Sequence, residues 1–237
     1  MTDPGNSPPD LTPRGQSDDD PAAMVPLNDA EHAVLEAVRA KRGYTLPYHR
    51  MFAAGSADLL ERYDAFYEAL TLAPRVLTPL ERETVWASIL AAAREVHGFI
   101  HMERARRAGL DEAARSWAVA IAAVCEAHTV IAFAGGHWAD WTGGPSLRER
   151  YLAMFEAARG RTPVALAHLA AVAAMGARRD AAGLRLHLER AFEAGITREQ
   201  VAEALSYLMI PCGGNVLIDA VDAWVDAAAE GQVPAPY

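Results

Sequence analysis

Cysteine is almost missing from this chain. Two residues in 237, Cys125 and Cys212, stand far apart and outside any Cys-x-x-Cys pair. A disulfide framework is thereby excluded, and thiols used this sparingly suit a reduced cytoplasm. Basic charge is short as well: 22 Lys and Arg against 31 Asp and Glu give a formal net charge of −9. Such a surface repels nucleic-acid phosphates. No apolar run reaches the roughly 20 residues of a membrane span, so no membrane partner is expected. The N-terminus has Pro and Asp where a signal peptide needs basic and then apolar residues. Clusters of β-branched and aromatic residues are scarce, and no segment sustains the alternation of a strand.

What the chain has in abundance is alanine and leucine. Half of it is apolar, enough for a proper core. Alanine loses no side-chain entropy in a helix, so the composition favours an all-α fold.

Residues 1–27 are rich in Pro, Asp, Ser and Gly. They bring too little apolar surface to repay ordering and are expected to form a disordered tail. Asn28 caps a first helix ending near Gly43, and Pro47 starts a short one. Ser56 caps a helix with Leu59, Tyr63, Phe66, Tyr67 and Leu70 on one face. Thr78-Pro79-Leu80-Glu81 is a capping box with proline at the first helical position. Its helix should bury Val85, Trp86, Ile89, Leu90 and Ala93. Asp111 caps a helix through Ile121, and another is expected from Cys125 to about Phe133. The glycines at 135–136 and 143–144 make the clearest break. Ser146, Pro163 and Thr197 then open further helices, with a last one running to about Glu230. The expected division is 28–141, 146–230 and a tail at 231–237.

One stretch recurs. His101-Met102-Glu103-Arg104-Ala105 and Gly109 return, at a shift of 86, as His187-Leu188-Glu189-Arg190-Ala191 and Gly195. Most of the chain therefore reads as one helical module written twice.

With a capped helix, a helix bearing histidine, Ala194-Gly195, Thr197-Arg198-Glu199 and another helix, the chain resembles the carboxymuconolactone decarboxylase family, whose relatives include the alkylhydroperoxidase D group. The resemblance covers roughly residues 43–230. It implies two tandem all-α repeats, no cofactor, a small-molecule substrate, and assembly as a homo-oligomer, with a trimer or dimer of the fused repeats replacing a ring of six. The peroxidase branch carries Cys-x-x-Cys ahead of its histidine. Those positions hold Arg94 and His97 here, and Asp180 and Gly183 in the second copy, so a thiol peroxidase is disfavoured. The decarboxylase branch tends to carry a carboxylate close before the histidine. Glu95 fits that in the first copy, whereas Gly183 marks the other copy as degraded or repurposed.

The first copy is therefore the expected site. His97 and His101, four apart, would share one face of a continuous helix. His101 is the candidate acid/base, with His97 assisting and Glu95 orienting. Arg94 would grip a substrate carboxylate, with Arg104, Glu83 and His187 as further binding candidates. A metal held by His97, His101 and His128 or His137 is disfavoured, because the glutamate of His-Glu-x-x-His is missing. His32, His49 and His168 are expected to be ordinary.

The reaction this implies is a cofactor-independent decarboxylation of a small carboxylated lactone or unsaturated cyclic acid. A conjugated carbonyl takes the electrons as an enolate, and histidine protonates carbon. Isomerisation, cyclisation or dehydration of a related molecule is the alternative, as is a duplicated binding or assembly module without chemistry.

Overall fold

A computed structural model describes residues 25–142 and 146–237. The expected tail at 1–27 lies almost wholly outside them, as does the centre of the break at 143–144. Among the described residues every regular element is helical.

The described residues divide into two compact units, 25–73 and 74–237. In the first, α1 (Asp29–Arg42), α2 (Pro47–Gly55) and α3 (Ala57–Tyr67, extended by a π turn through Leu72) pack together. Leu35, Val38, Ala53 and Leu60 form their core. Asn28 accepts from the Glu31 N–H, and Ser56 from the Leu59 N–H. Arg42 ends α1 with its side chain buried, 2.6 Å from Asp64 and over the Tyr67 ring at 3.9 Å. His49 is buried and caps α2, its Nδ1 accepting from the Leu46 N–H at 2.9 Å.

The second unit starts with α4 (Pro79–Ala93), opened by the Thr78 capping box. A 3-10 turn (Val96–Gly98) leads into α5 (Phe99–Arg107), then α6 (Glu112–His137) and the short α7 (Ala139–Thr142). After the undescribed residues come α8 (Leu147–Ala158), α9 (Val164–Arg178), α10 (Ala181–Glu193), α11 (Arg198–Ser206, continued by a 3-10 turn through Met209) and α12 (Gly214–Ala229).

Helices α4 and α9 are central. They pack on each other and both pack on α6. Each is buried around its whole circumference, through residues 83–90 and 166–176 respectively, rather than along a stripe. Alanine makes this possible in α9, because a methyl side chain lets neighbouring helices approach from every side. Ser88 Oγ donates to the Ala118 carbonyl at 2.9 Å and fixes α4 against α6.

Three expectations change. The two helices expected between Asp111 and Phe133 are one helix of 26 residues, which runs on through Gly135 and Gly136. Nothing between Ile121 and Cys125 interrupts helical propensity, and the alanines there favour continuation. This α6 also meets the length and hydropathy of a membrane span, contrary to the expectation that no run would. Within the unit, however, its Glu126 pairs with Arg178 at 2.5 Å and Arg94 at 3.4 Å. Finally, the units meet between Ala73 and Pro74, not at the glycine-rich break. The physical reason is that α4 and α6 share one core with α8 and α9.

Candidate active site

Helices α4 and α9 end in the same way. Arg94 and Arg179 both adopt left-handed conformations, each with φ 57°. The next residue in each case is a carboxylate that caps the succeeding helical turn. Glu95 accepts from the His97 N–H at 2.9 Å, and Asp180 Oδ1 accepts from the Gly183 N–H at 2.9 Å. From there the two turns diverge. Glu95 is partly exposed and its remaining contact is His97 Nδ1 at 3.0 Å, itself half exposed. Asp180 is turned inward, and its Oδ2 lies 2.6 Å from Nδ1 of His128 on α6.

Burial opposes the charge on Asp180, but hydrogen bonds from His128 and from the Gly183 and Ala182 N–H groups hold its pKa below the ordinary value. An ionised carboxylate only accepts, so His128 carries its proton on Nδ1. Nε2 is then the nitrogen left to a ligand, on a ring that lines a cavity of about 410 Å³. The cavity lies among the C-terminal half of α6, α7, the start of α8, and α10. Its wall includes Thr142, Leu147, Arg148, Tyr151 and Leu186.

Behind Tyr151 is a buried polar cluster. The Tyr151 hydroxyl is 2.7 Å from His187 Nε2, and His187 Nδ1 is 2.9 Å from His168 Nδ1. Phe155 packs on both rings. Burial lowers the pKa of His168 to about 4, and that of His187 well below its ordinary value, so both are neutral near pH 7. One of the facing Nδ1 atoms carries a hydrogen and the other accepts it. Burial also raises the Tyr151 hydroxyl well above its ordinary pKa and keeps it protonated. Tyr151 stands edge-on to His128, with centroids 4.9 Å apart.

His101, the other recurring histidine, has a different setting. His101 is buried, with Nδ1 3.0 Å from Glu83 Oε2, and Trp86 stacks on its ring at 4.2 Å. Glu83 in turn accepts from Arg82 Nε at 3.0 Å, and Tyr207 stacks on Trp86 at 5.0 Å. Burial lowers the His101 pKa, the Glu83 carboxylate opposes this, and Arg104 adds a smaller lowering.

The structure thus brings together only some of the residues predicted from sequence. His101 meets Glu83, and Arg104 acts on it. His97 and Glu95 pair with each other at the surface. The expected common face of His97 and His101 does not form, because left-handed Arg94 ends α4 and His97 falls in the 3-10 turn before α5. Arg94 is directed to Glu126. None of these residues lines the cavity beside His128. His187 lies just behind it, through Tyr151.

Sequence reasoning missed His128 as anything but a possible metal ligand, and it missed Asp180, Tyr151, Arg148 and His168. One signal was available. His168 precedes His187 by 19 residues, as Glu83 precedes His101 by 18. A histidine within an alanine run at that position marks a buried polar partner. Gly183 also takes a new meaning: a Cβ there would come within 2.9 Å of His128 Nδ1, so its bareness makes room for the His128–Asp180 pair. Among the described residues no three His, Cys, Asp or Glu side chains converge as a metal-ligand set.

Fold and site together define an all-α protein with a histidine on a cavity wall and a carboxylate paired behind it. Residues 145–226 match the model of the carboxymuconolactone decarboxylase family. The match takes in Arg148, Tyr151, His168, Asp180 and His187, and it points to a decarboxylase-like or alkylhydroperoxidase-like role. No curated protein and no solved structure gave a significant match.

Proposed function

We propose that the protein is a cofactor-independent lyase that decarboxylates a small carboxylated lactone or unsaturated cyclic acid, with proton transfer at His128. The observation that carries this reading is His128 on the wall of the cavity, with Asp180 paired to it from behind at 2.6 Å. The bond between the ring and its carboxylate carbon breaks, and carbon dioxide leaves. The electron pair passes into the conjugated carbonyl as an enolate. Protonated His128 then gives its Nε2 proton to carbon and regains one from water. The net change is substrate carboxylate plus a proton going to product plus carbon dioxide. Asp180 fixes the ring and stabilises the cationic form during the cycle.

The thiols support this branch over a peroxidase. Burial raises Cys125 to a pKa of about 12 and Cys212 to about 11, so neither is a thiolate at neutral pH. Isomerisation is the second reading, favoured by the same tautomer. Neutral His128 holds a lone pair on Nε2, able to take a proton from carbon and return it to another.

The test is a set of carboxylated lactones and cyclic enoic acids, followed by carbon dioxide release and by deuterium uptake from solvent. Wild type should release carbon dioxide, His128→Asn should not, and His101→Gln should retain activity. Deuterium uptake without carbon dioxide selects isomerisation. Full turnover by His128→Asn would refute the assignment.

A further inference from the structure

The cavity has a polar inner wall and, among the described lining residues, one permanently charged group. His128 and Tyr151 belong to the inner wall, where His187 and Asp180 stand behind them. Thr142 contributes a hydroxyl, while Ile131, Ala132, Leu147 and Leu186 are apolar. Among the described lining residues only Arg148 carries a fixed charge. Arg148 and Tyr151 are three apart on α8 and so lie on one face of that helix, the face that meets the cavity. Tyr151 is buried, whereas the Arg148 side chain is 57% exposed. The cavity is therefore polarised from a neutral hydrogen-bonding interior to a cationic rim.

One acidic residue competes at that rim. Glu189 Oε2 accepts from Arg148 Nη2 at 3.0 Å. A guanidinium has five N–H donors in a planar fork, so this contact uses one edge and leaves others for a second carboxylate. Glu189 is itself a carboxylate held by Arg148, which demonstrates the chemistry the group accepts.

We infer that Arg148 is the seat for the substrate's carboxylate, that Glu189 sets its affinity by competing for the same guanidinium, and that the cavity selects compact cyclic monocarboxylates. This deepens the proposed lyase function and rests on the cavity being the substrate site. It replaces Arg94, which does not line the cavity. A single cation accounts for one carboxylate, the aliphatic walls for an apolar or unsaturated ring, and Nε2 of protonated His128 for a carbonyl at the far end of that ring.

The test is equilibrium binding, independent of turnover. Benzoate and its neutral isostere benzamide are titrated into the full-length protein and followed by calorimetry or by ligand-observed NMR. Wild type should bind benzoate saturably and benzamide at least about tenfold more weakly, as expected when a charge-assisted hydrogen bond is lost. Arg148→Gln should weaken benzoate by a similar factor and leave benzamide unchanged. Glu189→Gln should tighten benzoate several-fold, a gain that misfolding cannot produce. Equal affinity for benzoate in wild type and Arg148→Gln, no tightening in Glu189→Gln, or no saturable binding of benzoate to wild type overturns the inference. His128→Asn separates the two proposals: if it retains both turnover and benzoate binding, the mechanism fails while the carboxylate seat stands.

Discussion

His128 and Asp180 are 52 residues apart in sequence and 2.6 Å apart in space, Nδ1 to Oδ2. Asp180 also caps α10, so one side chain both starts that helix and orients the ring. Asp180→Asn keeps a good cap, because asparagine is as favourable at that position as aspartate. It removes the charge that fixes the ring's tautomer. The expected outcome is a fall in kcat of about a hundredfold or more with KM little changed. Steady-state kinetics on a turned-over cyclic acid checks it, and an unchanged kcat would separate Asp180 from the chemistry.

Gly183→Ala tests the room beside His128. Alanine should favour the helix by about 1 kcal/mol. Its Cβ, however, would stand 2.5 Å from Met175 Sδ and 2.9 Å from His128 Nδ1. The thioether is flexible and can move, but the ring is held by Asp180. Overpacking of this kind costs about 1–3 kcal/mol. We expect a net loss of about 1 kcal/mol in urea denaturation, the balance of those two effects, and a proportionately larger loss of activity. A variant more stable than wild type would show that the ring yields freely.

The buried histidines make stability depend on pH. Burial lowers His168 from its ordinary 6.5 to about 4, and His187 moves the same way. Between those pH values the unfolded chain binds protons that the folded chain refuses. Their contribution is therefore complete above pH 6.5 and declines as pH falls from 6.5 towards 4, at up to about 1.4 kcal/mol per pH unit for each histidine. Urea midpoints at about pH 7.5, 6 and 5 should fall in that order. His168→Gln, though less stable at about pH 7.5, should show a flatter dependence. An equal slope in that variant would locate the effect elsewhere.

Cysteine reactivity gives an independent check on the peroxidase branch. With thiol pKa values of about 12 and 11, Cys125 and Cys212 should react far more slowly with a disulfide reagent at about pH 7.5 than a free thiol does. Replacing both by serine should leave any peroxide consumption unchanged. A rapid burst of one thiol equivalent would identify a reactive cysteine.

Much of the fold was legible because helix ends are local. Asn28, Ser56, Thr78, Asp111, Ser146 and Thr197 each accept a hydrogen bond from the backbone N–H three residues on, as their sequence contexts require. A side-chain cap needs only its own turn, so sequence suffices. Glycine ends were legible too: Gly43, Gly109 and Gly195 all take positive φ. The whole-circumference burial of α4 and α9 was not, since a stripe pattern records the neighbours of one face only.

By itself the sequence determined most helix ends, the recurring histidine and the likeness of residues 145–226 to a family. Only the tertiary structure decided which of the polar side chains meet. The His101 stretch read as complete because Glu95, His97 and His101 are close in sequence, yet a left-handed Arg94 sends His97 outward and Trp86 covers His101. The His187 stretch read as depleted because its partners come from elsewhere: His128 from α6, Tyr151 from α8 and His168 from α9. Caps are set by neighbours in the chain, whereas a site is set by which helices pack together, and here packing placed His128 on the cavity wall with Asp180 behind it.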